Sequence, residues 1–221
     1  MNYPINEVFQ TLQGEGFYTG TPAIFIRMQY CQIKCNWCDT KYTWNKKNEK
    51  KISINNILKK KKKDQWCLAN PQQLLNIILK KKWTARHLVI TGGEPTKYDL
   101  RPLIYVFEKF GFFCQIETSG AYPIYCFKNT WVTVSPKKNI KKKSILTDSL
   151  LRANEIKYPV FSEKDISDLD FLLSILKNRK KYIVSLQPIN QNNIATNICI
   201  KTCIARNWRL SVQMHKYLNL K

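Results

Sequence analysis

Three cysteines lie within eight residues of one another, at Cys31, Cys35 and Cys38. They directly follow the apolar run 23–28, which predicts a β-strand, so a loop presents them. Cysteine thiolates bind zinc and iron–sulfur clusters. A structural zinc site is normally closed by four ligands with paired spacings, whereas three thiols without a fourth nearby suit a cubane cluster that keeps one iron open. The spacing therefore favours an iron–sulfur cluster.

The other five of the eight cysteines lack this spacing. The N-terminal residues do not combine a basic segment with an apolar run, and no stretch approaches the length that spans a bilayer. We therefore expect a cytoplasmic protein without membrane contact, in which thiols stay reduced. Small buried hydrophobes are the favoured interpretation of these cysteines, which are Cys67, Cys114, Cys126, Cys199 and Cys203.

The formal charge of +22 is of the kind that attracts nucleic acids. Much of it lies in lysine runs at 59–63, 80–82 and 141–143, and no aromatic residues interleave with these runs. A solvated surface is the more frequent explanation of such runs when no binding motif accompanies them. We therefore expect no nucleic-acid partner.

The elements that position the cysteine loop follow from the patterning of the chain. With 221 residues, 44% of them hydrophobic, we expect one core and a single domain over 1–221. Short β-rich runs alternate with helical periods after about residue 80, which indicates an α/β fold with parallel strands and crossover helices. Asn70 followed by Pro71 predicts a helix start. The predicted strands are 23–28, 87–91, 113–117, 131–135, 155–158, 182–187 and 208–213, and the predicted helices are 53–62, the segment from 70, 100–110, 144–151, 166–177 and 194–206.

Polar or glycine-rich residues follow four of the predicted strands. They are 91–94, 117–120, 135–137 and 187–188. Ligands of barrels and open parallel sheets bind at the carboxyl ends of the strands, so this distribution predicts a binding site at that edge.

The cysteine loop and the segment after the second predicted strand resemble two motifs of a known superfamily. The CxxxCxxC loop, with Trp37 just before its last cysteine, resembles the signature of radical S-adenosylmethionine enzymes. The segment from Thr91 to Pro95, Thr-Gly-Gly-Glu-Pro, resembles the GGE segment of the same superfamily. The resemblance implies a [4Fe-4S] cluster on the three cysteines. Its fourth iron would bind S-adenosylmethionine, which on cleavage yields a 5'-deoxyadenosyl radical.

Further motifs resemble one family, the 7-carboxy-7-deazaguanine synthases. The likeness begins at 6–16, Asn-Glu-Val-Phe-Gln-Thr-Leu-Gln-Gly-Glu-Gly, and spans nearly the whole chain through 21–27, 38–40, 115–120, 134–137, 186–188 and 207–216. It implies magnesium-dependent conversion of 6-carboxy-5,6,7,8-tetrahydropterin to 7-carboxy-7-deazaguanine, with loss of ammonia. That lyase reaction belongs to queuosine and deazapurine biosynthesis. The resemblance also implies a partial, modified β/α barrel, a homodimer and a flavodoxin-like electron donor.

The same resemblance implies roles for individual residues. The substrate would contact Leu12, Gln13, Gly14, Arg27 and Thr91. The guanidinium of Arg27 would pair with the pterin carboxylate, a task that a planar bidentate donor suits. Magnesium would take the hydroxyl of Thr40 and keep several waters. The cofactor would contact Trp37, Cys38, Asp39, Gly93, Ser135, Pro136, Lys137, Gln187, Pro188, Ile189 and Asn190.

Two positions depart from the family pattern, and two other functions stay open. Tyr30 precedes the first cluster cysteine where the resemblance leads us to expect glycine, and 96–99 is more polar than usual. A radical activase of a glycyl-radical enzyme would use the same cysteine loop but act on a protein. A zinc- or RNA-binding module without catalysis would hold zinc in place of iron and sulfide.

Overall fold

The computed structural model describes residues 1–137, 140, 143–176, 182–218 and 220. Nine strands form one sheet in the order β3-β1-β2-β4-β5-β6-β7-β8-β9. From β2 through β4 to β9 all neighbours are parallel, whereas β1 is antiparallel to β2 and β3. The sheet does not close between β3 and β9, which confirms the predicted partial barrel. The strands are β1 Tyr3–Leu12, β2 Pro22–Met28, β3 Cys67–Ala69, β4 His87–Gly92, β5 Phe113–Thr118, β6 Trp131–Val134, β7 Glu155–Val160, β8 Ile183–Pro188 and β9 Arg209–Leu210.

Helices connect the parallel strands. The first begins as predicted, because Asn70 and Gln73 form a reciprocal capping box and Pro71 occupies the first turn. No helix in the described part of the chain is long and apolar enough to cross a membrane. The helices are α1 Pro71–Lys80, α2 Arg101–Lys109, α3 Lys143–Arg152, α4 Glu163–Ser174 and α5 Asn193–Arg206.

The parallel strands are in a register that separates two kinds of side chain. Ile26 pairs with Ile90, and Ile90 with Ile116, and all three are fully buried in the main hydrophobic core. This apolar face, formed by Ile26, Ile90, Ile116, Val132, Ile156 and Val184, belongs to the same core as helical leucines such as Leu74 and Leu103. Alternate residues point to the opposite side. They form a polar face of Gln115, Glu117, Thr133, Glu155, Lys157 and Ser185.

Several predicted elements were wrong. The helix predicted over 53–62 is only a 3-10 segment, Ile54–Lys59. Regular α-helix there would bring like charges of the lysine run four residues apart, which is unfavourable. The strand predicted over 208–213 contains only Arg209–Leu210. The prediction missed β1 and β3, and the end of the helix predicted over 166–177 lies outside the described residues.

Candidate active site

A cavity of about 220 Å³ opens at the carboxyl ends of the parallel strands. Cys31, Cys35 and Cys38 all lie on its wall. The wall also includes two residues of the polar face, Glu117 and Lys157. The cysteine loop and the polar face therefore share one space, as the polar strand ends predicted.

A second cavity of about 430 Å³ adjoins the first. The two share Trp37, Pro159, Ile189 and Asn190, and Pro136 lines the second alone. Every residue predicted to contact the cofactor lies on the wall of one cavity or both, and these residues are Trp37, Cys38, Asp39, Gly93, Ser135, Pro136, Lys137, Gln187, Pro188, Ile189 and Asn190. The first cavity is therefore lined by the thiols, and the second shares part of its wall.

Backbone hydrogen bonds hold the cysteine loop in place. After β2 ends at Met28, the amide of Tyr30 donates to the carbonyl of Thr43 at 2.6 Å, and that of Cys31 donates to Trp44 at 3.4 Å. The amide of Cys38 donates to the carbonyl of Cys35 at 3.1 Å, which makes a tight turn between the last two cysteines. The loop is thus shaped by its own backbone.

The donor set of this loop fits a cluster better than a single ion. Among the described residues, the group whose ligand atoms all lie within 4.8 Å of one another is Glu15, Asp39 and His215. The cysteine sulfurs do not meet that limit, as suits a centre larger than one ion. The other cysteines lie off the cavity wall, four of them buried, at Cys67, Cys114, Cys199 and Cys203.

The two glycines at the end of β4 are needed for close packing against the cysteine loop. Gly92 has φ +109, and a Cβ there would lie 2.2 Å from the nitrogen of Met28. A Cβ on Gly93 would lie 2.1 Å from the carbonyl oxygen of Tyr30. The amide of Gly93 donates to Met28 and that of Glu94 to Tyr30, at 2.8 and 2.9 Å. Only glycine allows these backbones to approach so closely.

Glu94 fixes the rim between β4 and β5. Its carboxylate is 2% exposed. It accepts hydrogen bonds from both the amide and hydroxyl of Thr96, from the hydroxyl of Thr118 at 2.5 Å, and from the amide and hydroxyl of Ser119. These donors replace the water that the carboxylate loses, so the strand ends stay fixed.

The residues predicted to bind substrate adjoin the first cavity but are not among the residues that line it. Gln13 Nε2 is 3.4 Å from Oε1 of Glu117, and Arg27 is the register partner of Thr91 on the next strand. The Nε of Arg27 donates to Oε2 of Glu7 at 2.9 Å, and the guanidinium lies over the ring of Phe9. The other two predicted contacts, Leu12 and Gly14, lie at the end of β1 and just beyond it.

The hydroxyl of Thr40, the predicted magnesium ligand, lies next to the last cysteine. Its Oγ1 is 3.6 Å from Sγ of Cys38, and its carbonyl accepts from the amide and hydroxyl of Thr43. Thr40 does not line either cavity, but its neighbour Asp39 lines the first. Thr40 and Asp39 therefore place oxygen donors, the kind that magnesium prefers, beside the thiols.

A buried charge network occupies the polar face below the cavity. The ammonium of Lys157, a residue 5% exposed, donates to Glu15 at 2.7 Å and to Glu117 at 2.9 Å. Burial raises the pKa of Glu117, and the repulsion of Glu155 and Glu15 adds to this against the attraction of Lys157, giving about 7. Burial alone would raise the pKa of Glu15, but Lys157, Gln213 and His215 together outweigh burial and lower that pKa to about 2. The pKa of Lys157 is raised because these carboxylates overcome its burial.

The C-terminal segment closes over the site. Gln213 donates to Glu15 at 2.9 Å and to Asp39 at 3.0 Å, which joins the loop after β1 to the cysteine loop. The His215 ring, with Nε2 3.9 Å from Asp39, and Lys216 at 3.1 Å lower the pKa of Asp39 to about 2 against its partial burial.

A second lysine lies beside the thiols. Nζ of Lys137 donates to Oγ of Ser135 at 2.6 Å. Burial lowers the pKa of Lys137, and the neighbouring Cys35 thiolate opposes that effect. The ammonium of Lys137 therefore lines the cavity and releases its proton more readily than an exposed lysine does.

Sequence reasoning missed several groups of this site. Glu15, Gln213, His215 and Lys216 were recognised within matched segments but given no role, and Lys157 was not singled out. A buried lysine in the middle of a strand, between Ile156 and Tyr158, is the one local signal that could have marked it, because an unpaired lysine is rarely buried.

Known proteins resemble this chain in sequence over its whole length, and a solved structure resembles it in fold. Two relatives are 56% identical to this chain over 222 residues, and each alignment covers all of this chain and all of the relative. They are the 7-carboxy-7-deazaguanine synthases of Buchnera aphidicola subsp. Schizaphis graminum and of Escherichia coli K12. That of Synechocystis is 31% identical over all of this chain and 95% of its own length. The crystal structure of QueE from Escherichia coli superimposes with a TM-score of 0.92 at 55% identity, covering 97% of this chain and 95% of that chain. No family model matches.

The open parallel sheet and the three-cysteine loop at its carboxyl edge define a radical S-adenosylmethionine enzyme. Within that class, the chain belongs to the 7-carboxy-7-deazaguanine synthase family.

Proposed function

We propose that the chain converts 6-carboxy-5,6,7,8-tetrahydropterin to 7-carboxy-7-deazaguanine, with loss of ammonia, in queuosine and deazapurine biosynthesis. The reaction uses a [4Fe-4S] cluster, S-adenosylmethionine and Mg²⁺. When bound, these groups supply the 5'-deoxyadenosyl radical that takes a hydrogen atom from the substrate. The observation that carries the proposal is that all eleven predicted cofactor contacts line two adjoining cavities, the first of which is also lined by the three cysteines.

The chain's own residues hold the cofactors. Cys31, Cys35 and Cys38 bind the cluster, and the backbone of Gly93 receives the methionine end of S-adenosylmethionine. Trp37 and Ile189, which line both cavities, would hold the adenosine end. Support comes from the lining of the cavities: the three cysteines and Gly93 line the first, and Trp37 and Ile189 line both.

The substrate lies between the cysteine loop and the polar face. Nε of Arg27 is fixed by Glu7, which leaves its terminal nitrogens for the pterin carboxylate. Leu12, Gln13, Gly14 and Thr91 complete the substrate contacts. The hydroxyl of Thr40 would hold magnesium, an ion that usually keeps several waters and takes few ligands from the protein. The C-terminal segment excludes water from this space through Gln213 and Lys216.

The electron comes from a flavodoxin-like protein that docks beside the cysteine loop. Exposed lysines surround this loop, at Lys34, Lys41, Lys46 and Lys47. An acidic donor would be attracted to them, and the association would weaken as salt screens the charges. Turnover with flavodoxin should therefore fall with salt more steeply than turnover with dithionite.

Two chains form a homodimer. The outer surfaces of α4 and α5 carry large exposed apolar side chains, among them Phe171 at 65%, Ile194 at 70% and Ile204 at 79% exposed. The two helices are neighbours, because Arg206 donates to Asp170 at 3.0 Å. Light scattering of Ile204→Glu tests this: a monomer would support an interface here, and an unchanged dimer would exclude one.

The protein works in the cytoplasm as a single domain over 1–221. All eight cysteines are free, which suits a reducing compartment. One nine-stranded sheet and one main hydrophobic core run through the described residues, which supports a single folding unit.

Anaerobic turnover tests the proposed reaction. Reconstituted wild type, Cys35→Ala and the control Cys126→Ala are given 6-carboxytetrahydropterin, S-adenosylmethionine, magnesium and a reductant, and the product is followed by mass. Cys126 is a half-buried cysteine whose sulfur contacts Arg152 away from the cavity. We expect product from wild type and Cys126→Ala alone. A wild-type cluster that cleaves S-adenosylmethionine without forming 7-carboxy-7-deazaguanine would contradict the proposal.

A further inference from the structure

One lysine of the run 59–63 is not on the solvated surface that such runs predict. The side chain of Lys60 is only 9% exposed, whereas the other four lysines of the run are exposed. A lysine that is removed from water needs hydrogen-bond acceptors and a counter-charge in return. A solvated surface therefore accounts for those four lysines but not for Lys60.

Three oxygen atoms hold the ammonium of Lys60 in place. It donates to Oδ1 of Asn6 at 2.7 Å and to the carbonyls of Lys63 and Gln65 at 2.9 and 3.3 Å. These acceptors are neutral, whereas the carboxylate of Glu7, with Oε1 3.8 Å from Nζ of Lys60, supplies a negative charge. The hydrogen bonds therefore fix the ammonium at a site next to Glu7.

The carboxylate of Glu7 has other partners besides Lys60. Its Oε2 accepts from Nε of Arg27 at 2.9 Å and from the hydroxyl of Tyr42 at 3.1 Å. Glu7 and Arg27 are register partners on β1 and β2, and their side chains are 14% and 17% exposed. A Cβ on Gly92, which lines the first cavity, would lie 2.6 Å from Cγ of Arg27. The cluster of Lys60, Glu7 and Arg27 therefore adjoins that cavity.

The charges of this cluster determine how strongly it attracts an anion. Glu7 and Arg27 alone form a pair without net charge, so a substrate carboxylate would be attracted by one and repelled by the other. Lys60 adds a second cation, which leaves the cluster with a net positive charge. Because the three side chains are largely buried, water and salt screen these charges less than charges at the surface.

We propose that Lys60 is a positioning residue for the substrate: it balances the charge of Glu7, so that Glu7 orients Arg27 without cancelling its attraction for the pterin carboxylate. The inference rests on the proposed function, in which Arg27 binds that carboxylate. Glu7 fixes Nε of Arg27 and thereby the direction of the guanidinium plane. Lys60 lines neither of the two cavities, so it acts through Glu7 and Arg27.

Steady-state kinetics tests the role of Lys60. Reconstituted wild type, Lys60→Gln and Lys61→Gln are compared anaerobically at equal cluster content, and kcat and the KM values for 6-carboxytetrahydropterin and S-adenosylmethionine are measured. We expect Lys60→Gln to raise the KM for the pterin several-fold and to leave kcat and the other KM unchanged, because only ground-state binding of the carboxylate is weakened. Lys61→Gln is the matched control, since it removes the same charge from an exposed position of the same run. Its constants should equal those of wild type.

A double-mutant cycle with Glu7 separates this role from a structural one. Lys60→Gln also disturbs the hydrogen bonds that the ammonium makes to neutral oxygens, and that loss is the same in the wild-type and Glu7→Gln backgrounds. Glu7→Gln keeps an acceptor oxygen for Arg27 but leaves no charge to balance. Lys60→Gln should therefore raise the KM for the pterin much less in the Glu7→Gln background than in wild type.

Three outcomes would overturn the inference alone, since the wild type would still form product in each. They are an unchanged KM for the pterin in Lys60→Gln, an equal rise of that KM in both backgrounds, and an equal rise in Lys61→Gln. The second would mean that Lys60 only supports the fold of its segment, and the third that any surface charge has the same effect. A wild type that forms no 7-carboxy-7-deazaguanine would instead contradict the proposed function and the inference with it.

Discussion

The two faces of the parallel sheet bury side chains to a similar degree but by different means. On the apolar face, Ile90 and Ile116 are fully buried among other hydrocarbons. On the polar face, Glu155 is also fully buried, and it depends on hydrogen bonds from Thr133 at 2.9 Å and Ser185 at 2.5 Å. The apolar face needs only shape and hydrophobicity, whereas the polar face needs every partner in place.

This difference indicates that the apolar face mainly stabilises the fold, whereas the polar face lies next to the active-site cavity. Apolar packing tolerates exchange between hydrocarbons of similar volume, because dispersion and burial are not directional. A buried charge network loses several partners when one member is removed. We therefore expect substitutions on the two faces to differ in size and in pH dependence.

Lys157→Met should give the largest loss of stability. It leaves Glu15 and Glu117, whose side chains are only 20% and 13% exposed, without their shared cation. Breaking a buried ion pair costs about 3–5 kcal/mol. Urea unfolding of the variant measures the loss. The control is Lys50→Met, which removes a surface pair with Asp64 and should cost no more than about 1 kcal/mol. Equal losses in the two variants would mean that the network does not stabilise the polar face.

Ile116→Ala tests the apolar face. Ile116 is fully buried, and removal of such a side chain leaves a cavity that costs about 2–5 kcal/mol. We expect a loss that does not change between pH 5.5 and pH 8, because no titrating group is involved. The control is Ile200→Ala on α5, where the side chain is 39% exposed and the loss should be small. A pH-dependent loss in Ile116→Ala would mean that the two faces are not independent.

The apolar face could be predicted from the sequence because each of its elements carries a local signal. The strand over 23–28 and the helix start at Asn70 and Pro71 depend on neighbours in the chain, and the structure confirms both. β1 was missed although it pairs with β2 along most of its length, because its partners lie from 10 residues away, for Leu12 and Pro22, to 23 residues away, for Ile5 and Met28. The helix predicted over 53–62 was wrong because the prediction used the spacing of its apolar residues. That spacing takes no account of the repulsion among the lysines at 59–63.

The polar face could be predicted only in part. Polar residues follow several of the predicted strands, and this pattern predicted the position of the site. The cavity lies at those strand ends. The bonds of Lys157 to Glu15 and Glu117 span 142 and 40 residues of the chain. No periodicity encodes such distances, so the network became visible only in the folded chain. Individual substrate and cofactor contacts remain predictions.

Thr133→Val should show a smaller effect on the polar face. The change keeps the shape of the side chain but removes the hydroxyl that donates to Glu155, and losing a hydrogen bond to a buried charge costs about 1.5–3 kcal/mol. Thermal unfolding measures it. Thr147→Val, which removes an exposed hydroxyl bonded to the carbonyl of Lys143, is the control and should change stability by no more than about 0.5 kcal/mol. If both variants match wild type, Ser185 alone satisfies Glu155.

Glu117→Gln should change how the free energy of unfolding depends on pH. Burial and the neighbouring carboxylates raise the pKa of Glu117 to about 7 from its ordinary value of 4.5, so the folded chain binds a proton that the unfolded chain has released. The stability from this group is complete below pH 4.5 and is lost as pH rises through 7. Glutamine does not titrate, so the stability of the variant relative to wild type should rise between pH 5.5 and pH 8.

Glu15 does not disturb this measurement. Its pKa is lowered to about 2, so its contribution is present above pH 4.5 and is lost only as pH falls towards 2. Other titrating groups are common to both proteins and cancel in the difference. Urea midpoints of cluster-free wild type and Glu117→Gln at pH 5.5, 6.5, 7.5 and 8 give the comparison. A difference that stays constant over this range would show that Lys157 keeps Glu117 ionised throughout, and the polar face would then be as indifferent to pH as the apolar one.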